Sequence, residues 1–250
     1  MNDQNPHLQK RYVAHLGLAA IGETGQQRIS ASRIGLIGLG GLGCATAQYL
    51  VSSGIGHLVL CDFDTVAESN LARQILYRTA DIGHYKAEAA ARVLSGLNPS
   101  TGIDIIKSRM DEEQLATLAN DNDLLIDASD NYGTRLAVNN ACIDSGTPWL
   151  MGSAIRMEGQ IVLFQPQRAG EPCYRCIYGE APETLEDCPG AGIFAPVAGM
   201  IGTAMAHRAL CYLAGIEDPG ELNILDGLRN QWQQLKTGKN PACPACGTDN

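Results

Sequence analysis

The sequence predicts an α/β fold in which a mostly parallel sheet carries flanking helices and continues into antiparallel strands. Three observations lead to this prediction. Short apolar runs alternate with helical patterns up to Gly152, a glycine-rich turn joins the first such run to a helix, and the alternation stops after Gly152. Because a strand–helix–strand connection normally joins parallel strands by a right-handed crossover, the alternating part predicts a sheet covered on both faces.

The alternation predicts strands and helices in regular succession up to Gly152. The predicted elements are helical residues 7–32 with a break near Gly22–Gly25, strand Arg33–Leu39, helix Leu42–Ser53, strand His57–Cys61, helix Lys86–Leu97, strand Ile103–Lys107, helix Glu112–Leu118, strand Leu124–Ala128, helix Tyr132–Ser145 and strand Trp149–Gly152. The strands are short apolar runs of the kind buried on both faces, and the helices are longer and periodic.

The second part of the chain has a different pattern. Its predicted elements are an antiparallel strand Glu158–Gln165, a long loop Gly179–Gly192, a helix Pro196–Ala214 and two strands, Leu222–Asp226 and Gln231–Lys236. The helix has proline at its start and Gly215 after its end, which is the usual asymmetry of helix termini. The loop is rich in proline, glycine and acidic residues, and loops of this length tend to be functional.

The composition disfavours two classes of partner. The chain has 250 residues, 45% of them hydrophobic, and a formal net charge of −9. Nucleic acids and anionic membranes attract basic surfaces, so an acidic globular chain is unsuited to both. The start, Met1–Lys10, lacks the apolar run of a signal peptide, and the longest apolar run, Ala195–Ala206, is too short to span a bilayer. We expect a soluble, cytoplasmic protein that binds neither nucleic acid nor membrane.

The glycine-rich turn indicates a nucleotide site. Gly38, Gly40 and Gly43 match the pattern G-x-G-x-x-G, after a strand and at the start of a helix. Glycines allow backbone N–H groups to approach phosphates, and the start of a helix favours negative charge. Asp62 ends the next strand, where a carboxylate can accept hydrogen bonds from ribose hydroxyls. The pattern predicts a Rossmann-like nucleotide site and leaves NAD and ATP both open.

Further polar residues follow the predicted strands. They are Ser69, Asn70, Leu71, Ala72, Arg73 and Gln74 after the second strand, Lys86 at the start of a helix, and Asp130 with Asn131 after the strand LLIDAS. Ligands of open parallel sheets bind at the carboxyl ends of the strands, so we expect these residues to converge. Arg73 and Lys86 can neutralise triphosphate oxygens and Asp130 can hold Mg²⁺, which favours phosphate chemistry over hydride transfer.

Nine cysteines include two Cys-x-x-Cys pairs, Cys173 with Cys176 and Cys243 with Cys246. An odd number of cysteines with two such pairs indicates metal ligation in a reducing compartment more than a disulfide framework. Four thiolates form the closed tetrahedral set typical of structural zinc, although a Cys-x-x-Cys pair can also be a redox motif. We predict one zinc ion that pins the C-terminal tail to the segment around Cys173.

These motifs together resemble one family. The stretches GLGGLG, CDFD, SNLARQ, DASDN and AIRMEGQ, with Lys86 and the two cysteine pairs, are similar to those of the bacterial adenylyltransferases that activate sulfur carriers. This is the MoeB, ThiF and HesA family, which resembles the adenylation domain of ubiquitin-activating enzymes. The resemblance extends from Arg11 to Cys246, and Gly152–Gln160 is most similar to the MoeB type.

The resemblance implies a reaction and a set of site residues. In this family ATP and Mg²⁺ are used to adenylate the C-terminal glycine of a ubiquitin-like sulfur carrier that ends in Gly-Gly. The carrier serves molybdopterin synthesis or, as the alternative, the thiazole pathway of the ThiF type or another specialised sulfur pathway. The residues that match the family's ATP site are Gly41, Asp62, Ser69 to Arg73, Lys86, Asp130 as the Mg²⁺ ligand, and Asn131.

The resemblance also implies partners and a division of the chain. We expect a homodimer and a separate sulfur donor protein, because the chain carries no appended sulfurtransferase domain after Cys246. One continuous domain is expected to have three parts: an N-terminal helical segment 1–32, a nucleotide-binding Rossmann-like part 33–152, and a carrier-binding part 153–250 with the crossover loop and the zinc site.

Cys188 lies in the long loop, where relatives carry a cysteine that is proposed in some of them to form a covalent link with the carrier or a sulfur donor. We therefore include it among the candidate catalytic residues, with Asp130, Arg73 and Lys86. The neighbouring acidic residues Glu183, Glu186 and Asp187 oppose this role, because they disfavour the reactive thiolate form.

One position departs from the family pattern. The family has two arginines near the start, and the second reaches into the ATP site of the neighbouring subunit. This chain matches the first with Arg11 and has Ala14 at the second. The departure keeps a non-catalytic carrier-binding scaffold open as an alternative, and the glycine pattern keeps a nicotinamide-dependent oxidoreductase open as another.

Overall fold

The computed structural model describes residues 10–179 and 192–247. Its helices are α1 (Val13–Leu16), α2 (Gly22–Ala31), α3 (Gly41–Ser52), α4 (Lys86–Leu97), α5 (Glu112–Asn120), α6 (Tyr132–Ser145), α7 (Tyr174–Tyr178) and α8 (Ala195–Ala214). Its strands are β1 (Arg33–Ile37), β2 (His57–Cys61), β3 (Gly102–Ile106), β4 (Leu124–Asp127), β5 (Trp149–Ile155), β6 (Glu158–Phe164), β7 (Leu222–Asp226) and β8 (Gln231–Leu235).

One eight-stranded sheet organises these elements in the order β3-β2-β1-β4-β5-β6-β7-β8. Strands β1 to β5 pair in parallel, and β5 to β8 pair antiparallel. The predicted α/β fold, with a parallel sheet that continues into antiparallel strands, is therefore confirmed. In the register, Ile37 of β1 lies opposite Cys61 and Asp127, so the residues after these three strands emerge at one edge of the sheet.

Helices cover both faces of the sheet. Apolar residues of α2, α3, α4 and α8 form the core on one face, and residues of α5, α6 and α7 pack on the other. Helix α8 approaches α3 closely, because a Cβ atom added at Gly202 would collide with the Leu42 carbonyl oxygen. None of the helices in the described residues is long and apolar enough to cross a membrane.

Several boundaries differ from those predicted. The N-terminal helical region is interrupted at residues 17–21, ahead of Gly22. Strand β5 continues beyond Gly152 to Ile155, because it pairs with β6 along all seven residues of both strands. Helix α7 is absent from the sequence-based prediction, since five residues are too few to display a helical period.

Candidate functional site

The glycine turn between β1 and α3 depends on the absence of side chains. Gly38 has a φ of +88°, and a Cβ atom there would lie 2.9 Å from the carbonyl group of Ala128. A Cβ atom at Gly43 would collide with the carbonyl oxygen of Gly38. The turn thus packs against the end of β4 and directs the N-terminus of α3 toward the carboxyl edge of the sheet.

The start of α3 is suited to an anion. Gly40 is its N-cap residue and provides no side-chain cap for the N–H groups of the first turn. Phosphate oxygens are common partners of such groups, and the helix dipole favours their negative charge. A Cβ atom at Gly41 would approach Arg73 Cγ to 3.5 Å, so the arginine lies beside this helix start.

The segment after Asp62 forms a cover over the glycine turn. A short 3₁₀ helix spans Glu68–Asn70, and Arg73 donates to the Ser69 carbonyl oxygen at 3.2 Å. Gln74 is 3% exposed, and its Nε2 lies 3.9 Å from where a Cβ atom of Gly40 would be. The Gln74 Oε1 is buried and has no partner within the described part of the chain. Asn70 and Leu71 are half-buried, and Ser69 and Ala72 are exposed.

Asp62 connects the second strand to the glycine turn. Its Oδ2 accepts a hydrogen bond from the Leu39 N–H at 2.7 Å, and its Oδ1 accepts one from the Asp64 N–H at 2.9 Å. Burial raises the pKa of Asp62, and the positive charge of Lys86 opposes that rise. The carboxylate is thus held in position with further lone pairs directed to the edge of the sheet.

Lys86 is buried, with 7% of its surface exposed. Its ammonium group donates to Asp64 Oδ2 at 2.8 Å, and its backbone N–H donates to the Asp64 carbonyl oxygen. Asp64 is half exposed, so the carboxylate that pairs with the lysine charge faces solvent. An ammonium group has three donors, so Lys86 can bind a phosphate while it keeps Asp64.

Asp130 and Asn131 follow β4 beside the glycine turn. Asp130 is exposed, and Asn131 caps α6 by accepting a hydrogen bond from the Thr134 N–H at 2.8 Å. An exposed carboxylate at this edge has the oxygen chemistry that Mg²⁺ prefers. The residues predicted for the site therefore meet at the carboxyl ends of β1, β2 and β4, with Asp130 two residues after the Ala128 that contacts Gly38.

The four cysteines of the two pairs meet in the second half of the molecule. The Sγ atoms of Cys173, Cys176, Cys243 and Cys246 all lie within 4.8 Å of one another. The distance is 3.6 Å between Cys173 and Cys243 and 3.4 Å between Cys176 and Cys246. A tetrahedral zinc ion with bonds of about 2.3 Å requires sulfur atoms slightly under 4 Å apart, so the set fits zinc.

The surroundings of the cysteine cluster act unequally on its members, and burial raises the pKa of the Cys173 and Cys246 thiols. The Asn240 N–H points at Cys176 Sγ, 3.4 Å away. Burial opposes ionisation of Cys243, yet the N–H groups of Ala245 and Cys246 bring its pKa down to about 7. Backbone N–H groups that face ligand sulfurs are typical of the outer shell of structural metal sites. Cys188, the remaining candidate of the sequence analysis, lies outside the described residues.

The N-terminal arginine has a local role. Arg11 donates to the Leu97 carbonyl oxygen at 2.7 Å and to Asn98 Oδ1 at 3.2 Å, at the C-terminal end of α4. A cation stabilises this end of a helix. Ala14 is exposed on α1.

The structure also identifies site residues that the sequence analysis missed. Asp64 pairs with Lys86, Asp127 is fully buried at the end of β4, and Arg135 donates to the Ser129 carbonyl oxygen at 2.7 Å. A charged residue inside the apolar run LLIDAS was the available signal for Asp127. Two cavities, of about 630 and 510 Å³, lie away from these residues; Glu217 lines both, and Asp123 lines the first.

The chain is similar to known proteins over almost its whole length. The ThiF family model matches residues 12–245. The molybdopterin-synthase adenylyltransferase of Escherichia coli K12 is 41% identical over 239 residues, which cover 95% of this chain and 96% of the relative. The sulfur carrier protein ThiS adenylyltransferase of the same organism is 39% identical over 241 residues, covering 96% of both chains.

Solved structures agree with the fold. A crystal structure of E. coli MccB with AMPCPP and MccA superposes with a TM-score of 0.84 at 21% identity, covering 97% of this chain and 75% of that one. At this identity the similarity shows the fold alone. With a family model that spans almost the whole chain and relatives that match over their full length, this protein belongs to the ThiF family.

Proposed function

We propose that this protein uses ATP to adenylate the C-terminal glycine of a ubiquitin-like sulfur-carrier protein and releases pyrophosphate. The observation that carries the proposal is the set of groups at one edge of the sheet: an uncapped helix start, the buried Lys86, Arg73 and the exposed Asp130. Its position in a chain so similar to carrier adenylyltransferases supports the same reaction.

The proposed nucleophile needs no general base. A C-terminal carboxyl group has a pKa of about 3.3–3.7, so it is ionised at neutral pH. One carboxylate oxygen attacks the α-phosphorus atom, and the bond from that atom to the oxygen bridging to the β-phosphate breaks. The products are the carrier acyl-adenylate and pyrophosphate, which takes the electron pair of the broken bond. Catalysis then rests on positioning and on neutralising phosphate charge.

Each proposed residue has one role. The N–H groups at the start of α3, with Gly41 beside Arg73, hold phosphate oxygens, and Asp62 accepts from the ribose hydroxyls. Arg73 and Lys86 stabilise the charge that moves onto the leaving pyrophosphate. Asp130 would hold Mg²⁺, which would supply positive charge to offset that of the phosphate groups. Asn131 keeps the start of α6 in place next to Asp130.

The cysteine cluster has a structural role in this proposal. Four cysteine ligands complete the coordination of zinc and leave no open position for chemistry. A zinc ion bound there would tie the C-terminal tail to α7, because Cys173 and Cys176 flank or lie on that helix and Cys243 and Cys246 lie in the tail. We expect about one zinc ion per chain in protein purified without chelators, as measured by elemental analysis.

The carrier of molybdopterin synthesis is the first proposed substrate. A thiazole-pathway carrier is the second, because the identity to the ThiS adenylyltransferase is only two points lower, 39% against 41%. We also propose a homodimer, to be tested by sedimentation at micromolar concentration, and a separate protein that donates sulfur. ATP and reduced thiolates are both available in the cytoplasm, where we propose the enzyme works.

The test is carrier-dependent exchange of labelled pyrophosphate into ATP. We expect exchange only with a carrier ending in Gly-Gly, and an Asp130→Ala variant should lose it by a factor on the order of 10² or more. Asp121→Ala is the matched control, since Asp121 is an exposed aspartate at the end of α5, on the opposite edge of the sheet. Absence of exchange with both carriers, in folded and zinc-loaded protein, would refute the proposal and favour the scaffold alternative.

A further inference from the structure

The residue before Asp130 is held from both sides by charged groups, the fully buried Asp127 and the half-buried Arg135. The Ser129 N–H donates to Asp127 Oδ1 at 2.8 Å, and the Ser129 carbonyl oxygen accepts from Arg135 Nη2 at 2.7 Å. We call Asp127, Ser129 and Arg135 the Ser129 clamp. Its carbonyl group belongs to the peptide unit that also carries the Asp130 N–H, so the clamp fixes the backbone from which the Asp130 side chain extends.

The clamp is anchored in the centre of the molecule. Asp127 is fully buried and pairs with Ile37 on one side and Met151 on the other, in the middle of the sheet. Arg135 lies in the first turn of α6, one turn after the cap residue Asn131. Both charged residues thus stand on regular elements, and a hydrogen bond from a rigid element restrains a loop more than one from another loop.

Burying these charges is costly for folding alone. Burial raises the pKa of the Asp127 carboxyl group, and Arg135 opposes that rise. The Ser129 hydroxyl and N–H groups also oppose the rise in the pKa of Asp127, and the Arg135 side chain interacts with Tyr174 as well. Replacing a buried carboxylate and its charged partner by apolar residues of similar volume is often neutral or stabilising, so folding alone does not explain this pair. Buried charged groups of this kind are common at functional sites, where they hold reacting or ligand-binding groups in place.

We infer that Asp127 and Arg135 are positioning residues that hold Asp130 in the geometry needed to bind Mg²⁺·ATP. This inference rests on the proposed function, because it requires Asp130 to be the Mg²⁺ ligand. Neither residue touches the nucleotide in this account. Their effect passes through the Ser129 peptide, and it therefore depends on the carboxylate of Asp130.

The experiment is a double-mutant cycle on nucleotide affinity. The dissociation constant of ATP is measured by calorimetry in two buffers, one containing Mg²⁺ and one containing neither divalent ions nor EDTA. The proteins compared are the wild type, Arg135→Met, Asp130→Asn and the double variant. We expect Arg135→Met to weaken Mg²⁺·ATP binding on the order of 10-fold, the effect of losing one charged hydrogen bond, while metal-free ATP binding is unchanged. In the Asp130→Asn background the same substitution should have no further effect.

Two further variants make the test selective. Arg135→Lys keeps a charged donor near the Ser129 carbonyl oxygen and should recover part of the lost affinity. Arg28→Met is the matched control, because Arg28 also donates to a backbone oxygen, that of Ala214, but at the opposite edge of the sheet. It should leave both dissociation constants unchanged. Arg135→Lys also provides the measurement if Arg135→Met fails to fold.

The outcomes separate the two proposals. An equal loss from Arg135→Met with and without the Asp130 carboxylate would overturn the clamp inference, and so would a loss confined to thermal stability or to metal-free ATP binding. Wild-type protein that binds no Mg²⁺·ATP would overturn the proposed function together with the inference. Wild-type binding with an effect of Arg135→Met that vanishes in Asp130→Asn supports both.

Discussion

The two ends of the sheet assemble their candidate sites in different ways. At the parallel end, each polar residue follows a strand, and the register of β1, β2 and β4 brings the residues to one edge. At the antiparallel end, cysteines 70 positions apart in the chain meet through sulfur atoms 3.4–3.6 Å apart. The first site is held by hydrogen bonds among backbone and charged side-chain groups, whereas the second brings four thiol sulfur atoms against one another.

This difference indicates what each site requires. Leu39, Asp62, Asp64 and Lys86 already hold one another through hydrogen bonds of 2.7–2.9 Å. We expect the cysteine cluster to bind a cation, because four thiolates in contact repel one another and metal binding offsets that repulsion. We therefore expect the parallel end to keep its geometry without zinc, and the antiparallel end to lose it.

Removal of zinc has the largest expected effect. By analogy with a covalent cross-link between segments 70 positions apart, loss of the metal or a Cys246→Ser substitution should lower the free energy of unfolding by up to about 4 kcal/mol. Carrier-dependent exchange should fall while ATP affinity, measured by calorimetry, stays within about twofold of the wild type. A large loss of ATP affinity in the zinc-free protein would show that the two ends are not independent. Cys61→Ser, at a cysteine outside the cluster, is the control for zinc content.

A substitution in the glycine turn tests the opposite end. Gly43→Ala places a methyl group against the Gly38 carbonyl oxygen, and overpacking of this kind typically costs about 1–3 kcal/mol. ATP affinity should decrease while the zinc content stays at one per chain. Gly96→Ala, in α4 with open space around its Cβ position, should instead stabilise the protein by about 0.5–1 kcal/mol. Loss of zinc in Gly43→Ala would contradict independent ends.

Restoration of the missing arginine tests whether a neighbouring subunit completes the parallel end. Arg11 is engaged at Leu97 and Asn98, so we do not expect it to replace the family's second arginine. Ala14→Arg should raise the rate of pyrophosphate exchange by about 10-fold, the worth of one charged hydrogen bond to phosphate. Ala20→Arg, at another exposed alanine of the same region, should not. Equal rates for the three proteins would mean that position 14 does not reach a nucleotide site.

The smallest expected effect is at the outer edge of the parallel end. Hydrogen bonds from His57 and Arg33 lower the pKa of the Asp104 carboxyl group. The pair therefore stabilises the fold above the ordinary pKa of 3.8, and this stabilisation is lost as pH falls through the lower pKa of the folded state. Because Asp104 is half exposed, we expect under about 1 kcal/mol, screened further by salt. The free energy of unfolding in urea is measured for the wild type and Asp104→Asn at pH 6 and at pH 3. If the two proteins differ by the same free energy at both pH values, the stabilisation does not come from the charge of Asp104.

At the parallel end, the sequence predicts which residues converge but not which partners hold them. The convergence of Asp62, Arg73, Lys86 and Asp130 follows from one rule, that the carboxyl ends of parallel strands share an edge. The partners of these residues do not follow from any local pattern. Asp64 meets Lys86 across 22 positions, and Arg135 reaches back from a helix to a carbonyl oxygen, a group that every residue has. Such contacts depend on the angle between elements, which periodicity does not specify.

At the antiparallel end, the cysteines that come together were easier to predict than the secondary structure that carries them. Cysteine spacing predicted that these four residues share one site, because metal coordination restricts which residues can take part, and the structure brings their sulfur atoms within 4.8 Å of one another. The helix α7 that presents Cys176 was missed, since its five residues are stabilised by the packing of Tyr174 against Trp149 and Phe164 rather than by a pattern of their own.

The position of β1 between β2 and β4 has a consequence for access. The connection that leaves β1 goes through α3 to one face of the sheet, and the one that leaves β4 goes through α6 to the other. Chain order reverses at this point, where Gly38 packs against Ala128. Beyond that contact the loops after β1 and β4 run to opposite faces, and we expect an opening at this edge of the sheet. An extended peptide can enter such an opening end-on, whereas a bulky side chain cannot, which suits a substrate that terminates in glycine.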